Sequence, residues 1–188
     1  MIILINALVI YLSTIKISSL PPLGKFFDPF HGYLALTNSD QLSDQDLFLN
    51  GLNDSVTIIW DERRIPHIFA NNENDLFFTQ GYIHAFDRLW QMEFQVMAAG
   101  GRLSEILGER AIDYDRFQRR IGMMRGASNV VEYYKEDSLM TASLGAYTDG
   151  INAYISSLDI DNYPIEYKIL DYKPEPWTIK KCALLYMY

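Results

Sequence analysis

VTIIWDERRIPHIFANNENDLFFTQGYIHAFDRLWQMEFQVMAAGGRLSEILG, residues 56–108, is the stretch whose reading decides the fold class. It opens with two short apolar runs, Val56 to Trp60 and Ile65 to Ala70, separated by Asp61-Glu62-Arg63-Arg64. Both runs are rich in β-branched and aromatic residues, and across so short a polar spacer they predict a hairpin. Proline has no N–H to give to a ladder, so the second strand begins at or just after Pro66, or lies at a sheet edge.

The period then changes. Asn72, Asn74 or Asp75 can cap a helix, and helical spacing holds from about Asp75 to Ala99, where Gly100-Gly101 stop it. At about 100° per residue, His84, Asp87, Arg88, Gln91 and Gln95 fall on one narrow stripe. The rest of the circumference is Tyr82, Ile83, Phe86, Leu89, Trp90, Met92, Phe94, Val96 and Met97. A helix so apolar is mostly buried. Glu93 stands inside the apolar arc, and a buried carboxylate needs a partner. Arg102, Arg119 and Arg120 are the nearby candidates, and a structural ion pair is favoured over a catalytic carboxylate.

Working outward, 188 residues suffice for one large domain, and 49% hydrophobic content suffices for a core. The net charge of -8 argues against a general nucleic-acid binder, which needs a basic surface. A single cysteine, Cys182, excludes an internal disulfide framework and a cysteine-based zinc site.

On the N-terminal side, Met1 to Ile15 is apolar and uncharged, with no basic residue before it. It is shorter than the roughly 20 residues of a spanning helix, and residues 1–19 read as an export signal or anchor, against a buried terminal element. Export would place the protein in the periplasm or outside the cell. Leu20 to Gly32 is a Pro/Gly/aromatic connector in which prolines forbid regular structure, and His31 there reads as a packed loop histidine. Tyr33 to Asn53 is polar, and Leu42, Leu47 and Leu49 allow at most a short helix. Asn53-Asp54-Ser55 fits the N-glycosylation pattern.

On the C-terminal side, Arg102 to Gly108 reads as a short helix. Asp113 or Asp115 opens the next, along which Arg116, Arg119, Arg120 and Arg125 read as pairing with carboxylates elsewhere, with anion binding the lesser alternative. Ser138 caps a further helix, in which Gly145 and Gly150 either weaken it or permit close packing. Asn162 to Pro176 reads as a loop with Pro164, Pro174 and Pro176, and Trp177 starts a final apolar helix. That helix has no stop signal before Tyr188, so the polypeptide is expected to continue.

The chain has no nucleophile elbow, no phosphate loop and no H-E-x-x-H. Ser13-Thr14-Ile15-Lys16 fits S-x-x-K, but at the end of the terminal apolar run it reads as chance. Asp113-Tyr114-Asp115 and Asp159-Ile160-Asp161 are acidic pairs without an EF-hand frame, and read as solvated charge. His67 and His84 could each act as a base, yet spacing ties no Ser or Cys nucleophile to either.

The central stretch resembles the α chain of the penicillin acylase (penicillin amidase) family. The similarity is carried by Asp61, Ile65-Pro66-His67-Ile68-Phe69-Ala70, Asp75-Leu76 and Gln80-Gly81-Tyr82-Ile83-His84-Ala85. It continues through Asp87-Arg88-Leu89-Trp90-Gln91-Met92-Glu93, Gly101 to Gly108, Asp115, Arg119-Arg120 and Pro174-Glu175-Pro176-Trp177. Arg64 departs from it, because the family usually has a glycine there. The resemblance covers roughly residues 20–188 and implies an α+β fold, part of an αββα four-layer N-terminal-nucleophile hydrolase sandwich. This piece would be mostly helical with a short hairpin. It further implies an acylase, exported and cut autocatalytically from one precursor, with the N-terminal Ser of a β chain as nucleophile. Penicillin-type amides, N-acyl homoserine lactones or other acyl amides would be substrates, and the complete protein would carry a calcium. A non-catalytic remnant or binding module is the alternative of a different class. No catalytic, substrate-binding or metal residue is carried over, because the matching residues read as scaffold.

Overall fold

The computed structural model describes residues 2–15, 22–27, 46–160 and 162–188. In chain order these form α1 (Ile2–Thr14), α2 (Gly24–Phe27), β1 (Thr57–Trp60), β2 (Pro66–Phe69), α3 (Glu73–Gly100) and α4 (Ser104–Leu107). A 3-10 turn (Gly108–Ala111) leads to α5 (Ile112–Ile121), α6 (Met123–Tyr134), α7 (Ser138–Ser157), α8 (Ile165–Leu170) and α9 (Ile179–Met187). The fold class is the expected one, mostly helical with one antiparallel hairpin.

The hairpin pairs Thr57 with Phe69 and Trp60 with Pro66, so the second strand does begin at the proline. Asp61 shapes the turn: its Oδ1 accepts from the amides of Arg63 at 2.8 Å and Ile65 at 2.9 Å. Arg64 is thereby forced to a φ of 60°. A side chain in that region costs roughly 1–2 kcal/mol, which gives the glycine of the resembled family its physical reason.

Asn72 caps α3 by accepting from the Asp75 amide at 2.9 Å. Past the other end Gly101 is left-handed, and the amides of Gly101 and Arg102 return to the carbonyls of Ala98 and Met97. The helix bends at Arg88, where φ −142° and ψ 19° leave the helical region. The polar stripe behaves as read: His84, Asp87, Arg88 and Gln91 are exposed.

α3 and α7 cross at two glycines. A Cβ on Gly81 would overlap the Tyr147 carbonyl oxygen, and one on Gly150 the Phe78 carbonyl oxygen. Backbone therefore meets backbone there, flanked by edge-to-face pairs of Tyr82 and Phe86 with Tyr154. The core beyond the crossing is built from Leu89, Met92 and Val96 of α3, Ile151 of α7, and Tyr167, Trp177 and Leu184.

Several local readings are corrected. Asp137, not Ser138, caps α7, accepting from Leu139 and Met140; it stands one residue outside the helix, where the cap must be. Neither Asp113 nor Asp115 opens α5, because both lie within that helix, and Arg125 falls past its Gly122 stop, on α6. The 162–176 region is not all loop: α8 forms in the six residues after Pro164, whose fixed φ suits a helix start. Pro22 is likewise followed by α2, while His31, Lys16 and Leu42 lie outside the described residues. No helix among the described residues is long and apolar enough to cross a membrane.

Gly145 and Gly150 separate two effects within α7. A Cβ at Gly145 meets nothing within 4 Å. Gly145→Ala should gain about 0.5–1 kcal/mol of stability from helix propensity, whereas Gly150→Ala should cost at least about 2 kcal/mol by overpacking. Urea unfolding of the complete protein measures both, and equal effects would refute the crossing geometry.

Candidate functional site

Two places bring together the residues that the sequence singles out. The first is the cluster around Glu93, whose residue is 1% exposed. Its Oε2 accepts from the Tyr167 hydroxyl at 2.5 Å, and its Oε1 from the Glu175 amide at 3.1 Å. Lys181 Nζ stands 3.6 Å from the same Oε1 and 3.3 Å from Glu175 Oε2. Glu93 is thus buried and paired as expected, but its partner is a lysine and not an arginine. Arg102 and Arg119 are spent elsewhere, and Arg120 is exposed, with no ion pair among the described residues. Arg102 grips Glu105 at 2.7 Å and Glu175 at 2.6 Å, and Arg119 Nε donates to the Gly101 carbonyl at 2.9 Å. Arg102 therefore reaches Glu93 only through Glu175.

Burial pushes the Glu93 carboxyl up, opposed by the Tyr167 hydroxyl and the Lys181 ammonium. Glu175 goes the other way. The Arg102 guanidinium, with Tyr172 and Lys181 assisting against desolvation, lowers it from its ordinary 4.5 to about 2. Tyr167 is raised by its own burial and by the Glu93 charge beside it. Both Glu93 oxygens are engaged inside the protein, so this carboxylate has structural work and no route to a substrate.

The second place is a groove of about 450 Å³ between the hairpin and the first half of α3, lined by Pro66, His67, Ile68, Leu76, Gln80, Ile83 and His84. It brings together the two histidines read as candidate bases. His84 Nδ1 lies 2.9 Å from the Tyr147 hydroxyl, and desolvation lowers the histidine, partly offset by Asp87. Burial pushes the Tyr147 hydroxyl up to about 12, so it stays protonated at neutral pH. His67 lies 3.6 Å from Asp61, the residue that shapes the turn. Among the described residues no Ser or Cys lines the groove.

The remaining candidates are structural. Asp115 is 4% exposed and caps α4, accepting from the Leu103 amide at 2.9 Å and the Ser104 amide at 2.7 Å. The solvated reading fits Asp113 and fails for Asp115, because α4 supplies no cap of its own. Asp159 accepts from the Asn162 amide, and Asp161 lies outside the described residues. Asn53 is exposed and points its side-chain amide at Asp75. Asp75 itself is fully buried. Burial works against its charge, yet the amides of Asn53 and Asp54 and the Asn72 side chain more than compensate. Cys182 accepts from the Trp177 ring N–H at 3.3 Å. Among the described residues no group of three or more His, Cys, Asp or Glu could hold a metal ion.

Lys181 was the residue missed. It is 88 positions from Glu93, and the only signal for it was a charged residue inside the apolar face of α9. Asn152 was missed too. Its side chain donates to the Trp177 carbonyl at 3.0 Å and accepts from the Trp177 amide at 2.7 Å, clamping the Pro174–Trp177 turn to α7.

The sequence model of the penicillin amidase family matches residues 55–188. The chain belongs to that family. A penicillin acylase 2 proenzyme from Pseudomonas sp. (strain SE83) is 38% identical over 131 residues, 70% of this chain and 16% of that protein. An acyl-homoserine lactone acylase, QuiP, from Pseudomonas syringae pv. syringae is 33% identical over 138 residues, 73% of this chain and 16% of that protein. A solved thermostable penicillin G acylase from Alcaligenes faecalis superposes with a TM-score of 0.63 at 26% identity, over 71% of this chain and 70% of that one. The chain thus spans about a sixth of the length of the curated relatives it matches.

Two outcomes check the cluster. Lys181→Met leaves a buried carboxylate uncompensated and should destabilise the complete protein by about 3–5 kcal/mol, with Glu93→Gln added to it restoring part of the loss; additive losses in urea titrations would refute the pairing. Glu175 is lowered on folding, so its contribution is present above pH 4.5 and is lost as pH falls toward about 2. Glu93, raised on folding, works in the opposite direction. Thermal midpoints read across that window should therefore fall less steeply in Glu175→Gln than in the natural protein.

Proposed function

We propose that this chain is the N-terminal part of the α chain of an acylase that hydrolyses the amide between an acyl group and an amine. The match to the penicillin amidase family over residues 55–188 carries the reading. The nucleophile is the N-terminal Ser of a β chain from the same precursor, released by autocatalytic cleavage after export to the periplasm or the exterior. Its own α-amine, titrating near pH ~8, accepts the proton at neutral pH. Consistent with this, no Ser or Cys among the described residues lines the groove, and Glu93 is closed off by its partners. The part described here is scaffold. Its buried carboxylates hold helix ends, turns and the α9 approach in place, and the calcium that the family resemblance implies would belong to the complete protein.

The relatives divide between penicillin acylases and acyl-homoserine lactone acylases, so the substrate class is an N-acyl amide shared by both. Expression of the complete reading frame tests this. Intact masses should show two chains, the second beginning with Ser, and the product should hydrolyse penicillin G, an N-acyl homoserine lactone, or both. Replacement of that Ser by Ala should abolish turnover. A single unprocessed chain with no amide hydrolysis would overturn the reading and leave a non-catalytic scaffold.

A further inference from the structure

Residues 46–54 lie ahead of the family match, which starts at residue 55. Two contacts hold this segment to α3. The amides of Asn53 and Asp54 donate to the two oxygens of the fully buried Asp75, at 2.8 and 2.9 Å. Just before them Gly51 rests on the Phe78 ring, where a Cβ would come within 2.7 Å of Cε2, and its φ is 116°. Ring contact and backbone both demand glycine there, because an L side chain would meet the one and strain the other.

Asn50 stands directly before that glycine. It is exposed, and its side-chain amide makes no hydrogen bond among the described residues. Asn50-Gly51 is also the only asparagine–glycine step in the sequence. Without a Cβ on the second residue, nothing shields its nitrogen from the asparagine side chain, and asparagine is among the chemically labile residues.

We propose that Asn50 is a deamidation site of the folded protein, and that its modification loosens the two contacts that follow it. The Gly51 nitrogen attacks Cγ of Asn50, forming the C–N bond of a five-membered succinimide. The bond from Cγ to the side-chain nitrogen breaks, and that nitrogen leaves as ammonia with the proton from Gly51. Water then opens the ring. Opening at the side-chain carbonyl leaves aspartate; opening at the main-chain carbonyl leaves isoaspartate, whose backbone runs through the side-chain methylene. Water is the only co-reactant. Isoaspartate adds one carbon to the backbone beside Gly51, whose place is set by Phe78 and by the bonds to Asp75. That slack draws the Asn53 and Asp54 amides away from a buried carboxylate that depends on them.

Asp149-Gly150 is an internal control. Asp149 is exposed and offers the same ring closure, by loss of water, but the step lies within α7. The helix ladder engages the Gly150 amide, and Gly150 packs on the Phe78 carbonyl.

The test ages the complete protein in mildly alkaline buffer, folded or in urea, and digests it. In the folded sample, peptides containing position 50 should gain the mass difference between hydroxyl and amino groups. Isoaspartate-specific methylation should label position 50 and leave position 149 unlabelled. Hydrogen exchange at Asn53 and Asp54 should quicken about tenfold with age, as loss of one bond to a charged group does. Asn50→Gln, which disfavours the five-membered ring and alters only an exposed side chain, should keep both its mass and its slow exchange. Modification confined to the urea sample would show that the fold protects Asn50 and would overturn the proposal. Modification without faster exchange would overturn the loosening. The proposal stands apart from the acylase reading, which amide hydrolysis by the fresh protein tests separately.

Discussion

A carboxylate cut off from water is the constraint around which this structure closes. Glu93 sits mid-helix among Leu89, Met92 and Val96, where an unpaired charge would cost several kcal/mol. It is tolerated because Tyr167 of α8, the Glu175 amide of the following turn and Lys181 of α9 all converge on it. Those three groups come from 15 consecutive residues more than 70 positions away. Meeting the demand of one side chain therefore constrains where α8, the following turn and α9 must lie. Arg102 extends the arrangement by holding Glu175, which ties the end of α3 to the same turn.

The same logic recurs with buried aspartates. Asp75 gathers the amides of Asn53 and Asp54, anchoring the segment before the hairpin on the start of α3. Asp115 gathers the amides of Leu103 and Ser104 and so fixes the turn after Gly101. In each case a charged oxygen replaces a missing backbone partner, a strong use of a carboxylate because charge-assisted bonds are roughly twice as strong as neutral ones. Acidic residues that look like catalytic or calcium-binding material are, in this part of the protein, joints.

Membership of the penicillin amidase family and the closed state of these joints point the same way. The residues shared with the family stretch shape turns, cap helices and close the core. The groove between hairpin and α3, with His67 and His84 on its walls, is a surface that this part presents outward.

Local interactions made much of this legible from the sequence alone. The hairpin, the long helix with its glycine stop, the exposed polar stripe and the burial of Glu93 all follow from periodicity and short-range backbone chemistry. Arg64 stood out only against the usual glycine of the resembled family, and its φ of 60° is the reason. What the tertiary structure decided was partnership. Which cation answers Glu93, which helix Asp115 caps and why Gly150 matters while Gly145 does not all depend on contacts between residues far apart in the chain. Composition and spacing carry no term for such contacts, since a lysine in an apolar helix reads the same whether or not a carboxylate waits across the core. The choice between Lys181 and Arg102 was made by the path of the Pro174–Trp177 turn, clamped by Asn152, which only the folded chain contains.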